Sequence, residues 1–299
     1  MVAPPANRNS PQPGKKDRRE AARETARIER ETEKRRQRRN RVFLQGGILV
    51  GVIAIIAVVA LVIVNVNANK PTGDGPKNMA SDGILLTGST LAAVPTPAIK
   101  AGGKPVPIDT STLKSGVRIV TYIDYQCPYC QQFEAANAQQ IESMVASGAA
   151  SLEIHPIAFL DANSLGNKYS SRAASAAACV ANYDPNNFNA VNTALFANQP
   201  AENTSGKTDK ELIAVLKDAG SSSSKISSCI TSQAFVPWVT AATARIDPSG
   251  KTVTFKGVAN TPQKFAGTPT VFVNGERFTG SITDPAVFAA FVQKAASAG

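Results

Sequence analysis

The pair of cysteines in Cys127-Pro128-Tyr129-Cys130 has the clearest chemical potential in this chain. A β-rich run at 117–124 precedes the motif, and a run with helix-forming composition at 128–147 follows it. Cys127 therefore falls at a predicted helix N-terminus, where free N–H groups and the helix dipole stabilise a thiolate. Pro128 suits the first helical turn, because no N–H partner is needed there. A partly ionised sulfur with a second thiol nearby is what thiol–disulfide exchange requires.

Zinc sites use the same spacing, so the motif is ambiguous until other ligands are considered. The chain holds four Cys and one His. Cys179, Cys229 and His155 stand apart along the chain, and none of them forms a second closely spaced pair of the zinc-ribbon kind. The sequence therefore favours a redox dithiol and predicts no metal site. Any Cys/His nucleophile pair would have to use His155.

Two stretches resemble the thioredoxin-fold disulfide oxidoreductases of the DsbA type: 124–134 around the dithiol, and Phe265-Ala-Gly-Thr-Pro-Thr-Val-Phe-Val-Asn-Gly275. The resemblance covers residues 115–299. It implies that Pro269 is a cis-proline beside the dithiol, and that the backbone of Thr268 pairs with a bound client chain. A trans-proline that opens a strand is the less favoured alternative. Pro128 and Tyr129, between the cysteines, are expected to contact the client as well.

Several positions depart from the family pattern and leave the redox potential open. Tyr129 stands where many relatives carry a His that helps to hold the thiolate. Gln126 and Thr121 stand where thioredoxins carry a Trp and a buried acid. Asp124 and Glu134 flank the motif and are candidates for proton transfer, although a role as solvated or helix-capping carboxylates is the favoured interpretation.

Cys179 and Cys229 remain once the dithiol is assigned. Outside the cytoplasm, two leftover cysteines in one domain usually pair, and some anchored relatives that resemble this chain carry such a bridge in their helical insertion. A structural disulfide is the favoured prediction. The alternative is a second electron relay to Cys127.

An uncharged segment at 42–69 contains the almost wholly apolar run 43–64. At 1.5 Å per residue this run spans about 33 Å, enough for a bilayer core. We predict a transmembrane helix at 42–66, and a cleaved signal segment is the less favoured alternative. The positive-inside rule then places the basic tail 1–41 in the cytoplasm and the rest of the chain outside the cell membrane.

The net charge of +10 is concentrated in that tail. Residues 1–41 hold 14 Lys and Arg against 6 Asp and Glu, whereas the other 258 residues hold 18 against 16. A nearly neutral body is not typical of a phosphate-binding surface, so no nucleic-acid partner is expected. A tail that sets topology and is attracted to anionic lipid is favoured over a nucleic-acid-binding helix.

The remaining organisation predicts a Pro/Gly-rich linker at 67–107, with a possible early strand at 83–87, followed by one domain at 108–299. Within this domain, strand, helix and strand lead into Ala- and Ser-rich helical patches at 162–246. A hairpin turning at Asn274-Gly275 and a final helix at 284–297 follow. The fold class is therefore α/β, namely a thioredoxin-like fold with an all-helical insertion, preceded by a single transmembrane helix.

The leading functional hypothesis is an extracytoplasmic thiol:disulfide oxidoreductase that forms disulfides in exported clients with unpaired cysteines. Cys127 would be the nucleophile and Cys130 the resolving thiol. Because no dinucleotide-binding or P-loop motif occurs, no organic cofactor is expected. The family resemblance implies reoxidation by a quinone-linked membrane partner. The alternatives are a disulfide reductase or isomerase, and a thioredoxin-fold module that only binds clients.

Overall fold

The computed structural model describes residues 73–109, 113, 116–246, 252–253, 255 and 257–297. The predicted tail 1–41 and transmembrane helix 42–66 lie outside these residues, as does the beginning of the predicted linker. Within the described ranges, no helix combines the length and the apolar character needed to cross a bilayer.

A six-stranded sheet forms the centre of the fold, in the order β2-β1-β4-β3-β7-β8. β3 and β4 are parallel, and the other neighbouring pairs are antiparallel. The strands are β1 (Ile84–Thr87), β2 (Ala92–Ala93), β3 (Val117–Ile123), β4 (Ala150–Pro156), β7 (Thr270–Val273) and β8 (Glu276–Arg277). A separate antiparallel pair, which the sequence did not indicate, joins β5 (Thr252–Val253) to β6 (Gln263–Lys264).

Both faces of the central strands are covered. All seven residues of β4 are buried, as are six of the seven in β3. The alternation in the β4 sequence therefore does not separate core from solvent. It separates an apolar face, with Leu152 and Ile154, from a face that buries the polar side chains of Glu153 and His155.

Seven α-helices occur among the described residues. α1 (Pro128–Ala146) and α7 (Pro285–Ser297) flank an insertion that is helical apart from its turns, as predicted. Asp284 caps α7 through its side chain, which accepts a hydrogen bond from the N–H of Ala286 at 2.9 Å. The insertion helices are α2 (Tyr169–Tyr183), α3 (Phe188–Ala197), α4 (Asp209–Asp218), α5 (Ser224–Thr231) and α6 (Val236–Ile246).

The predicted hairpin is confirmed. Asn274 and Gly275 connect β7 to β8 with φ angles of 47° and 85°. Pro237 lies in the first turn of α6, where its missing N–H leaves no helical hydrogen bond unmade.

The described part of the predicted linker, 73–107, belongs to the domain. Met79, Ile84 and Leu86 are buried in the main apolar core, and β1 pairs with β4 along Ile84–Leu86. Asp82 accepts two hydrogen bonds of 2.6 Å from Arg245 of α6. The Pro and Gly content of this segment is typical of spacers, but its few apolar residues are enough to complete the edge of the sheet.

Candidate active site

The dithiol lies where β3 ends and α1 begins. Cys127 is the N-cap residue of α1, and Pro128 is its first helical residue. The N–H of Cys127 donates to the carbonyl of Asp124 at 3.0 Å, closing a tight turn between strand and helix. Cys127 is 4% exposed, whereas Cys130 is completely buried on the face of α1 that packs into the core. Cys127 thus keeps a small solvent-accessible surface, whereas Cys130 has none.

The surroundings shift the pKa values of the two thiols in opposite directions. The pKa of Cys127 is lowered to about 7 by interaction with the Cys130 thiol, against the effect of partial burial. Thr268 and the N–H groups at the start of α1 lower it further. For Cys130, burial is the main cause, and it raises the pKa well above its ordinary value. The neighbouring Cys127 adds to this effect. Near neutral pH, Cys127 is therefore the thiol that ionises more readily, and Cys130 stays protonated.

The predicted proline stands beside this pair. The Thr268–Pro269 peptide bond is cis, and the Cys127 thiol donates to the carbonyl of Thr268 at 3.2 Å. The structure thus brings together residues that are far apart in sequence. Between the cysteines, Tyr129 is 61% exposed at the rim of the site.

Neither flanking carboxylate is the solvated or helix-capping group that was favoured: neither is fully solvated, and neither caps a helix. Asp124 is fully buried, and burial raises its pKa to about 6. Its oxygens accept hydrogen bonds of 2.8 Å from the N–H groups of Gln126 and Leu160. Asp124 therefore caps backbone in the loop before the dithiol. Glu134 is partly buried, and desolvation raises its pKa to about 7.

Cys179 and Cys229 are joined by a disulfide that ties α2 to α5, with 5.9 Å between their Cα atoms. Cys127 and Cys130 are free thiols. Because their sulfurs are bonded to each other, Cys179 and Cys229 are not available as further zinc ligands for the dithiol.

A polar cluster on the other face of the sheet was missed by the sequence reasoning. Glu153 accepts hydrogen bonds from Arg118 and, at 2.6 Å, from the Ser81 hydroxyl. Glu153 also lies 2.9 Å from His155, whose ring stacks on Tyr122 with centroids 4.4 Å apart. His155 is thus engaged away from the dithiol. The only sequence signal was the alternation of three polar residues, Ser151, Glu153 and His155, with apolar residues along the strand.

A thiol of lowered pKa at a helix N-terminus, a buried thiol one turn on and a cis-proline beside them, all placed by a mixed sheet, define a thioredoxin-fold dithiol protein. Residues 111–294 match the family model described as Thioredoxin. The chain belongs to this family.

Solved structures with the same fold include thiol–disulfide oxidoreductases of Mycobacterium tuberculosis. Reduced DsbA is 27% identical to this chain. The alignment covers 71% of this chain and 91% of the DsbA chain, with a TM-score of 0.53. Reduced DsbG, a disulfide bond oxidoreductase, is 28% identical to this chain. The alignment covers 71% of this chain and 86% of the DsbG chain, with a TM-score of 0.52. The similarity to these two proteins supports the interpretation of this protein as an oxidoreductase.

A curated relative is the serine/threonine-protein kinase PknE of Mycobacterium tuberculosis (strain ATCC 25618 / H37Rv), 38% identical over 112 residues. The match takes in 36% of this chain and spans only 20% of the kinase.

Proposed function

We propose that this protein is an extracytoplasmic thiol:disulfide oxidoreductase that introduces disulfide bonds into exported proteins through Cys127 and Cys130. The observation that carries the proposal is the asymmetric dithiol. The acidic Cys127 thiol lies 3.2 Å from the Thr268 carbonyl, with the buried Cys130 thiol beneath it. The similarity to DsbA and DsbG supports the same chemistry.

In the proposed reaction, a client thiolate attacks Cys127 in the oxidised Cys127–Cys130 disulfide. A mixed disulfide forms between client and Cys127, and the electron pair of the broken bond leaves on Cys130, which takes up a proton. A second client thiolate then attacks the client sulfur, and Cys127 leaves as a thiolate. The client is oxidised by two electrons, and the dithiol is reduced by two.

The surroundings of Cys127 suit a bound client chain. The backbone of Thr268 is expected to pair with the client beside the cysteine under attack. Pro269, Pro128 and the exposed Tyr129 would border the same surface. Cys127 is a good leaving group in the second step because a thiol of lowered pKa leaves faster.

The dithiol must be reoxidised after each cycle, and we assign this step to a quinone-linked membrane oxidase. A membrane location would bring the two proteins together. The predicted helix at 42–66, with its basic flank on the cytoplasmic side, supports an anchored protein whose dithiol domain lies outside.

One observation favours a reductase instead. The pKa of Cys127, about 7, matches the ~7 of thioredoxin and lies well above the ~3.5 of the strongest oxidants. Tyr129 accounts for this, because it brings no positive charge to the site as a His would.

Equilibration of the protein with glutathione distinguishes the two directions. An oxidase requires a reduction potential above thioredoxin's roughly −270 mV, and we expect it to lie below about −120 mV. A potential at or below that of thioredoxin would overturn the oxidase and establish the reductase.

A trapping experiment tests the assignment of the two thiols. Cys130→Ser should accumulate mixed disulfides with client proteins on Cys127. The Cys127 thiolate attacks a client disulfide, the second client sulfur leaves as a thiolate, and no Cys130 thiol is present to attack Cys127 and release the client. Cys127→Ser, the matched control, should accumulate none. Equal trapping by both variants would refute the assigned roles, and no trapping by either would favour a module that only binds clients.

A further inference from the structure

The loop that carries the nucleophile is held by the helical insertion. Tyr125 is fully buried, and its hydroxyl donates to the side chain of Asn192 in α3 at 3.0 Å. The side-chain amide of Gln126, also buried, donates to the carbonyl of Asn163 at 3.2 Å. Both side chains thus point away from the client surface and into the insertion.

Gln199 makes the most direct of these contacts. It follows α3, and its own N–H donates to the carbonyl of Phe196 at 3.2 Å. Its side-chain nitrogen donates to the carbonyl of Tyr125 at 3.1 Å and to that of Cys127 at 3.0 Å. Since both partners are carbonyl oxygens, only the nitrogen end of the amide can face them. The two N–H groups of one side chain therefore connect the Tyr125–Gln126 and Cys127–Pro128 peptides.

The Cys127 carbonyl accepts three hydrogen bonds in total. The N–H groups of Cys130 and Gln131 donate to it at 3.0 and 3.2 Å as the first bonds of α1, and Gln199 supplies the third. Each donor offsets part of the negative charge on this oxygen, which belongs to the same residue as the reactive sulfur. The contact also restrains the backbone that aims this sulfur at the helix N-terminus and at Thr268.

We propose that Gln199 is a positioning residue of the dithiol, by which the helical insertion holds Cys127 in the geometry that favours its thiolate. This inference rests on the proposed redox function of Cys127. It assigns the insertion a part in the chemistry, although none of its residues needs to touch the client.

Three substitutions test the proposal, each compared with the wild type. Gln199→Met keeps the length of the side chain and removes both donors. Gln199→Lys keeps a donor and adds positive charge. Asn198→Ala is the matched control, because among the described residues the exposed side chain of Asn198 bonds only to the carbonyl of Ala194 in α3. The thiolate absorbance of the reduced protein as a function of pH gives the Cys127 pKa, and equilibration with glutathione gives the redox constant.

In Gln199→Met, the Cys127 pKa should rise by about 0.5 to 1, and the redox equilibrium should move about three- to tenfold towards the disulfide, since a thiolate stabiliser is lost. Gln199→Lys should keep the pKa at or below the wild-type value, and Asn198→Ala should leave it unchanged. If the role of Gln199 were purely structural, Gln199→Met and Gln199→Lys would change the Cys127 pKa in the same way. An unchanged pKa in a folded Gln199→Met protein would overturn the proposal.

A measurement on the wild type covers the case in which Gln199→Met does not fold. The side-chain amide protons of Gln199 should exchange slowly with solvent, and their NMR signals should shift when the dithiol is oxidised. Fast exchange without a shift would refute the contact. Each result is a difference from the wild type. It therefore tests the positioning role of Gln199 even if the measured reduction potential identifies the protein as a reductase.

Discussion

The acidity of Cys127 gives the most direct prediction for a single residue. Only the thiolate reacts with iodoacetamide, so the alkylation rate of the reduced protein should reach half its maximum near pH 7, the pKa of Cys127. Below that pH, the rate should fall about tenfold per pH unit. Cys127→Ser leaves the buried Cys130 as the free thiol and should react much more slowly at pH 7. A midpoint near the ordinary value of 9.0 would show that the site does not stabilise the thiolate.

Glu134 gives a second prediction, on the pH dependence of stability. Desolvation raises its pKa from 4.5 to about 7, so the folded protein binds this proton more tightly than the unfolded chain. The ionised carboxylate therefore costs stability above pH 7, and this cost disappears as pH falls below 4.5. Glu134→Gln removes the charge. It should increase the free energy of unfolding by roughly 1–2 kcal/mol at pH 8.5 and have no effect at pH 4.

Chemical denaturation at the two pH values checks this expectation. Gln retains an oxygen that can accept from Asn192, as Glu134 does at 3.4 Å. A variant that is destabilised equally at both pH values would show that the carboxylate is stabilising in either state, contrary to the burial argument.

The disulfide between α2 and α5 is expected to stabilise the helical insertion. It closes a loop of 50 residues, for which chain entropy predicts a stabilisation of roughly 4 kcal/mol. Replacing Cys179 and Cys229 together by Ala avoids a stray thiol and should lower the melting temperature markedly. The redox potential of the dithiol should stay near the wild-type value, because Gln199 and Asn192 belong to α3 or to the loop after it.

Thermal unfolding and glutathione equilibration of this double variant separate the two interpretations of the bridge. Loss of dithiol turnover in a folded variant would support the electron relay to Cys127. Normal turnover at reduced stability would establish a structural bridge.

The topology of the whole molecule follows from the charge step at residue 42. We expect the N-terminus in the cytoplasm and the dithiol domain outside. A phosphatase reporter that is active only outside the cytoplasm, fused after Gly299, should be active. Moving the basic residues of 1–41 to the far side of the apolar segment should reverse the result. A silent but stably expressed fusion of the native sequence would contradict the proposed localisation.

Local patterns were sufficient to predict much of the fold and the core of the site. The motif at 127–130, its position at a helix start, the Asn274-Gly275 turn and the pairing of Cys179 with Cys229 all appeared in the structure as expected. Each depends on neighbouring residues, or on a family resemblance with two specific motifs. Helix caps, turns and apolar periodicity act over a few residues, so a single sequence carries them.

Tertiary contacts were needed for everything that depends on which distant segments meet. The Pro/Gly-rich segment before residue 108 is a spacer by composition, yet burial of Met79 and Ile84 makes it part of the core. Glu153 is charged and would be predicted at the surface, but Arg118 and His155 compensate its burial and hold its pKa at about 2. Gln199 lies 72 residues from Cys127, and its two hydrogen bonds exist only because α3 ends beside the dithiol loop. No local propensity encodes such contacts, because their free energy arises from packing and desolvation once the chain has folded.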